Sequence, residues 1–535
     1  EKPAIGDRSR PLGELLVDAG AISEDALHRA LRAQRKSNAR IGEILVARGE
    51  ATETDIAKAL AVQWGIGFID LRQDDGNPSL VEAADVPLYL RYCALPWQRL
   101  GKIIQYVVAD PALAEQAIRD LSRQNGMAFV AVGQKSLIEQ AIAARAGPSL
   151  GQLAASRVPS GESVRSIDIG RLGTVLASIA VIGGLLLPVS TIVTLFICLL
   201  LTLNLVTMLT RLAAIFLSAP AKATEPHSDG TVILAHHRKL PRISLLIPLF
   251  GEAAMIDSLV EGLKQIDYPP ELIDAKLLLE ERDARTRAAA EAADLPPWVG
   301  ILVVPDGAPR TKPRAMNAAL DFCDGEIVGI LDAEDRPAPD QLSAVAQHLA
   351  AAPPEIACVQ CQLSYFNITE NWITRCFTIE YAIWFGVLLR GYQRLGIPIP
   401  LGGTSVYFRR SALVDLCGWD AHNVTEDADL GMRLARRGMR CDVIPTTTME
   451  EANCRLVPWI RQRSRWLKGY IMTWLSHMRS PKRLWSDLGP VGFLGLNVLF
   501  IGGAITYLGI PVFWLAILTA AVTGDAILLG HVPFW

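Results

Sequence analysis

The chain has 535 residues, a formal net charge of −3 and an apolar content of 50%. That length excludes one ordinary domain and calls for three or more units. The apolar excess is gathered into two long runs, 172–217 and 489–529, which excludes an ordinary soluble protein, while the scattered basic residues form no patch for nucleic acid.

The front of the chain is duplicated. Residues 10–34 and 40–63 match at an offset of 29, so that Gly13, Leu16, Gly20, Leu31 and Gln34 recur as Gly42, Leu45, Gly49, Leu60 and Gln63. Each copy reads as helix, glycine stop, cap, helix: Gly20 and Gly49 close a helix in the left-handed region, and Ser23 and Thr52 cap the next. Two copies are too few for a solenoid and form a compact pair of half-modules. The motif Leu-Gly-x-x-Leu-Leu-x-x-x-Gly…Ala-Leu-x-x-Gln resembles the N-terminal MshE-type cyclic di-GMP-binding domain of secretion and pilus ATPases, over residues 8–150, with a smaller mixed unit at 65–145 as its second half. The resemblance implies a doubled site for a ligand with two equivalent guanine halves. It would be built from Arg10, Leu12, Gly13, Leu16, Gly20, Leu31 and Gln34 in the first copy. Arg40, Gly42, Leu45, Gly49, Leu60 and Gln63 supply the second. The first copy departs from the pattern, with Pro11 where Arg40 stands in the second. No Gly-x-x-x-x-Gly-Lys-[Ser/Thr] loop follows, so the ATPase that usually accompanies this domain is missing from the sequence.

A linker at 148–170 leads to a first apolar pair, 171–217, broken at Pro188, and a second linker occupies 218–241. Each half of the pair approaches the roughly 20 residues that cross a bilayer. Arg165 and Arg171 stand at its start, Arg211 near its end with Arg238 and Arg242 beyond, and the turn at Pro188 is uncharged, so both large polar regions are expected in the cytoplasm. A further helical pair is expected at 487–535, breaking near Gly509-Ile510-Pro511. The nine cysteines are scattered except for Cys358 and Cys361, which fall in an apolar strand, and free thiols suit a reducing compartment.

From Arg242 strands alternate with helices. Segments 243–248, 276–280, 300–305 and 325–331 are apolar strands, which predicts an α/β domain around a parallel sheet covered on both faces. Ligands on such sheets bind at the carboxyl ends of the strands, where Glu281-Arg282-Asp283 and Asp332-Ala333-Glu334-Asp335 fall. Closely spaced carboxylates there suit a hard divalent ion bridging a diphosphate.

Two more clusters follow, Thr425-Glu426-Asp427-Ala428-Asp429 and Gln462-Arg463-Ser464-Arg465-Trp466. With them residues 242–475 resemble a family 2 glycosyltransferase of the cellulose-synthase-like kind, with its D, D, D, QxxRW pattern. The resemblance implies a nucleotide-sugar-binding domain of the family A type at 242–455, interfacial helices at 456–486, and a UDP-sugar donor. It places Glu252, Asp283, Lys312, Asn317 and Asp332 with the donor. Mg2+ or Mn2+ would be held by Asp332 with Glu334 or Asp335, a choice the sequence leaves open. Asp427, beside Glu426, would be the catalytic base, with Asp429 a second like charge raising its pKa. Gln462, Arg465 and Trp466 would serve the leaving group and acceptor, and Gly403 and Thr404 would line the acceptor site.

The expected whole is a bacterial inner-membrane, multi-pass enzyme that polymerises a nucleotide-activated sugar into an exopolysaccharide under cyclic di-GMP control. A homo-oligomer or a secretion partner would complete a pore, membrane lipids would surround it, and nucleic acid would have no part. A single addition onto a lipid-linked acceptor, or a catalytically silent membrane scaffold, are the alternatives.

Overall fold

The computed structural model describes residues 10–218 and 240–523, apart from 36, 38, 74–75, 83–84 and 126. The front module opens with α1 (Leu12–Asp18), α2 (Glu24–Gln34), α3 (Ile41–Ala47) and α4 (Glu53–Trp64). The punctuation expected from sequence is present: Gly20 and Gly49 both stand at φ +68°. Ser23 accepts the amide of Ala26, and Thr52 that of Asp55, each satisfying a free N–H of a helix start. The two copies cross over, α1 packing on α4 and α2 on α3. Within each copy glycine lets the two helices close on one another: a Cβ on Gly13 would stand 2.4 Å from Leu27, and one on Gly42 3.0 Å from Ile56, the equivalent residue.

Behind them lie α5 (Val86–Tyr92), β1 (Ala94–Leu100), β2 (Ile103–Val108), α6 (Ala114–Asn125), β3 (Met127–Val132) and α7 (Lys135–Arg145). The small sheet is mixed, β2 pairing antiparallel with β1 and parallel with β3. The first linker is structured: α8 (Gly147–Ser156) fills its beginning. Two apolar helices follow, α9 (Ile169–Leu186) and α10 (Val189–Ser218), parted at Pro188. The second linker lies almost wholly outside the described residues.

The large α/β unit carries β4 (Ile243–Leu249), α11 (Ile256–Lys264), β5 (Ile273–Glu280), α12 (Ala284–Ala292), β6 (Val299–Val304), α13 (Lys312–Leu320) and β7 (Ile327–Ile330). Then come β8 (Arg336–Pro337), α14 (Gln341–Ala351), β9 (Ile356–Tyr365), α15 (Trp372–Ile383), α16 (Leu389–Leu395), β10 (Val406–Arg409), α17 (Arg410–Asp415), α18 (Glu426–Arg436) and β11 (Arg440–Glu450). The eight-stranded sheet runs β6-β5-β4-β7-β10-β9-β11-β8. Its first four strands are parallel, as the apolar runs predict. The remainder departs from the all-parallel expectation, because β10 is antiparallel to both β7 and β9.

The chain ends in α19 (Leu456–His477), α20 (Pro481–Leu496) and α21 (Gly503–Thr523). The break expected at Gly509-Ile510-Pro511 does not occur, since α21 runs through Pro511; the kink sits instead at Gly489, before Pro490. Among the described residues three helical stretches are long and apolar enough to cross a membrane: Thr194–Ser218, Trp372–Leu395 and Pro481–Leu515. The middle one was not foreseen, and the apolar part of α9, Gly173–Leu186, falls short of that length. Helix α16 presses on α10 so closely that a Cβ on Gly391 would meet the carbonyl of Ala214 at 2.1 Å.

Ion pairs fasten the front module to the edge of the large sheet. Glu43 accepts from Arg242 at 2.8 Å, and Arg48 grips the buried carboxylate of Glu271 at 3.1 Å. Lys135 pairs with Asp324, and the buried Lys276 lies between Glu139 at 3.2 Å and Asp274 at 3.1 Å.

Candidate active site

The site lies where the sheet changes direction. Strands β4, β7 and β11 end at one edge, delivering Glu252, Asp332 and Glu450. Because β10 runs the other way, its beginning meets the end of β7, with Val406 opposite Ile330. This reversal brings the Gly402–Ser405 loop against the acidic turn.

Lys312, the first residue of α13, joins the parts. Its ammonium pairs with Asp332 and donates to the carbonyl of Gly403 at 2.8 Å. Burial opposes that charge, yet Asp332 and Glu426 hold the lysine above its usual pKa range. Gly403 has no room for a side chain, since a Cβ would stand 3.2 Å from Oδ2 of Asp427 and 3.9 Å from the Lys312 ammonium. The second acidic position of the motif, Asp332, thus shares Lys312 with the loop that lies beside the third, Asp427.

The carboxylates crowd one another. Burial, aided by Glu334 and Asp332, pushes Glu252 up to about 7. Burial first, then Asp332, raises Glu334. Burial together with Asp335, Asp332 and Glu334 raises Glu450 well above the carboxylate range. One oxygen each of Glu252, Asp335 and Glu450 is buried without a hydrogen-bond partner. Such oxygen-rich surroundings with a single cation fit a hard divalent ion. No three His, Cys, Asp or Glu side chains among the described residues close around one point. The protein would therefore supply only part of a coordination shell, as is usual for Mg2+ at a diphosphate.

Asp335 uses one oxygen to brace the turn, and its Oδ1 is left without a hydrogen-bond partner. Its Oδ2 accepts the amide of Asp332 at 2.7 Å and the hydroxyl of Thr404, so it braces the turn from inside. Thr404 is buried and held by that bond, away from an acceptor-lining role. Asn317 also departs from expectation: its amide donates to the carbonyls of Trp419 (2.7 Å) and Ala154 (3.0 Å) and accepts from Trp419 N–H, in the core on the far face of α13. Asp283 caps α12, its two oxygens accepting the amides of Gly251 (2.5 Å) and Thr286 (3.1 Å).

Asp427 lies in the first turn of α18, its Oδ1 accepting the Ala428 amide at 2.7 Å. Burial raises it to about 6, with Asp332 adding to the effect, and burial and Asp427 raise Glu426 to about 8. Asp429 contributes no such repulsion: fully buried, it is neutralised by Arg433 at 2.8 Å and His477 at 3.2 Å.

The QxxRW residues stand on α19. Gln462 accepts from Asn453 at 2.9 Å, and Trp466 meets the Phe377 ring edge-on at 6.5 Å. The ordered cation here is Arg463, which pairs with Glu380 and lies 5.0 Å from the Trp466 ring, whereas Arg465 is exposed. Gly469, one turn further on, touches Thr425, where a Cβ would come within 2.4 Å. That contact sets α19 directly against the start of α18. Sequence reasoning passed over Glu450 and Arg463; the Glu450-Glu451 pair at the end of a long strand was the available signal for the first.

In the duplicated front motif, Leu16 and Leu45 are fully buried. Gln63 reaches across to the carbonyl of Arg10 at 2.7 Å, and Gln34 to that of Ala39, the residue equivalent to Arg10, at 3.4 Å. Leu31 is exposed and Leu12 and Leu60 half-buried. Arg10 and Arg40 sit at the surface, paired with Asp18 and Asp110.

Residues 327–530 match the family described as glycosyl transferase family group 2, and residues 64–152 match the MshEN domain. The repeat at 10–63 lies ahead of the second match. The β-monoglucosyldiacylglycerol synthase of Trichormus variabilis is 27% identical over 47% of this chain and 55% of its own length. A cellulose synthase 1 catalytic subunit (UDP-forming) of Komagataeibacter xylinus is 25% identical over 48% of this chain and 34% of its own. The type IV pilus assembly ATPase PilB of Myxococcus xanthus is 31% identical over 26% of this chain and 25% of its own. The chain spans about half the length of the first of these and less of the others. It joins an MshEN domain to a family 2 glycosyltransferase domain.

Proposed function

We propose that the protein is an inner-membrane, inverting glycosyltransferase that extends an exopolysaccharide from a UDP-sugar on the cytoplasmic face, under the control of cyclic di-GMP. The observation that carries the reading is Lys312, bonded at once to Asp332 and to the loop carbonyl beside Asp427. A donor diphosphate at that lysine would lie between the carboxylate turn and Asp427, a half-buried carboxylate of raised pKa.

Asp332 and Glu334 are the residues that would hold Mg2+ or Mn2+, which supplies charge neutralisation for the leaving diphosphate. Lys312 orients the diphosphate and shares its charge. Asp427 takes the proton from the acceptor hydroxyl as that oxygen attacks the anomeric carbon. Trp466, ordered by Phe377 and Arg463, offers an apolar face to an acceptor sugar. Three apolar helices keep the site beside a bilayer, and the doubled Gln34/Gln63 framework suits a ligand with two like halves. A second reading, single transfer to a lipid acceptor, draws on the likeness to a diacylglycerol glucosyltransferase.

The test is product analysis with UDP-glucose and UDP-N-acetylglucosamine, Mg2+ or Mn2+, and cyclic di-GMP, using the full chain in lipid nanodiscs. Long polymer that requires the metal and increases with the dinucleotide is expected. A single glycosylated lipid would replace this reading with the second, and no UDP release from any UDP-sugar would end both.

A further inference from the structure

The stretch between α8 and α9 has the composition of a linker, yet three of its residues, Val158, Ser163 and Val164, are buried. We propose that residues 157–166 are a positioning strap that sets the three catalytic helices α13, α18 and α19 relative to one another.

Each helix is held at or beyond the end remote from its reactive residue, or by the loop that feeds it. Arg157 grips Asp321, just past the last residue of α13, with two bonds of 2.7 and 2.8 Å; Lys312 is at the other end of that helix. Asp420, in the loop leading to α18, is buried and receives the Ser163 hydroxyl and the Val164 amide, both at 2.8 Å. Beyond the end of α19, Arg479 donates to the carbonyls of Ser160 (3.0 Å) and Gly161 (3.1 Å), and Ser476 in its last turn donates to that of Glu162 at 3.3 Å. Ten consecutive residues thus fix the bearings of Lys312, Asp427 and the QxxRW segment. A helix is stiff, so a shift at one end moves the other, and a displacement near 1 Å at reacting groups costs up to ~10²-fold in rate.

The strap also joins bodies that have to work together. Upstream, α8 lies against α13, and Ala154 accepts from Asn317. Downstream, Asp168 caps α9 by accepting the Arg171 amide. A displacement of the front module or of the apolar helix has a covalent path into the strap. That regulatory use rests on the cyclic di-GMP reading above; the positioning role does not.

The experiment compares wild type with Arg157→Ala, Ser163→Ala and the conservative Arg157→Lys, as full chains in nanodiscs. It records kcat and donor KM for the UDP-sugar found active above, cyclic di-GMP affinity by calorimetry, and hydrogen exchange of segments 312–320 and 419–427. Expected are a kcat lower by ~10-fold, donor KM and dinucleotide affinity within about two-fold of wild type, faster exchange in both segments, and partial recovery in Arg157→Lys. Unchanged kcat with unchanged exchange would overturn the proposal. So would a loss of kcat in step with melting temperature and dinucleotide affinity, which marks a merely structural segment. A wild type whose kcat ignores cyclic di-GMP would end the regulatory reading, and the strap would then stand or fall on kcat and exchange.

Discussion

At Asp427 burial and a neighbouring carboxylate act in the same direction. A carboxyl group ordinarily titrates near ~4, and this one is pushed up to about 6. A general base works only when deprotonated, so raising its pKa moves the acid limb of activity upward. kcat/KM should fall as pH drops through about 6, two units above an unperturbed aspartate. A UDP-release profile from pH 4.5 to 8 reads this directly. Asp427→Asn should lower kcat by ~10²–10⁴-fold and erase the limb, while cyclic di-GMP affinity stays put. Asp332 was legible in the sequence from the strand end that carries it, and Lys312 and Asp427 from the resemblance to the family pattern. The inward turn of Asp335, the core position of Asn317 and the neutralised Asp429 were not: each depends on partners far away in sequence, Thr404, Trp419 and His477.

Among the elements, α19 shows how helix packing serves chemistry. Gly469 lets its backbone touch Thr425, immediately before Glu426 and Asp427. In Gly469→Ala the added methyl would come within 2.4 Å of Thr425, so one helix has to give way. Overpacking of this kind destabilises by about 1–3 kcal/mol. The expected outcome is a lower melting temperature and a lower kcat, measured together by calorimetry and UDP release. The first four catalytic strands and the caps of the repeat were readable locally, from apolar runs and from Ser23, Thr52 and two glycines. The reversal at β10 was not, since an antiparallel strand inserted in a parallel sheet has the same apolar composition as its neighbours. Likewise α15 and α16 escaped notice: their apolar content is diluted by Arg375, Glu380, Arg390 and Arg394.

For the molecule as a whole, the contact between front module and sheet combines apolar packing with ion pairs. Glu271 is 3% exposed and relies on Arg48. Leaving a buried charge without its partner costs more than the pair contributes. Arg48→Ala should destabilise by about 1–3 kcal/mol, seen as a lower melting temperature for the full chain, with Lys312 chemistry intact at low temperature. Composition announced several bodies and their order along the chain. It did not announce that they would interlock, because ion pairs such as Glu43–Arg242 and Glu139–Lys276 join residues 199 and 137 positions apart.

The crossed pairing of the two front copies has a consequence of its own. Each copy lays its first helix on the other's second and sends its glutamine to the other's opening backbone. Neither copy is complete alone; the pair is a dimer written on one strand of peptide. A solitary copy would find its missing half only in another molecule, and covalent linkage removes the concentration dependence that such a search would impose.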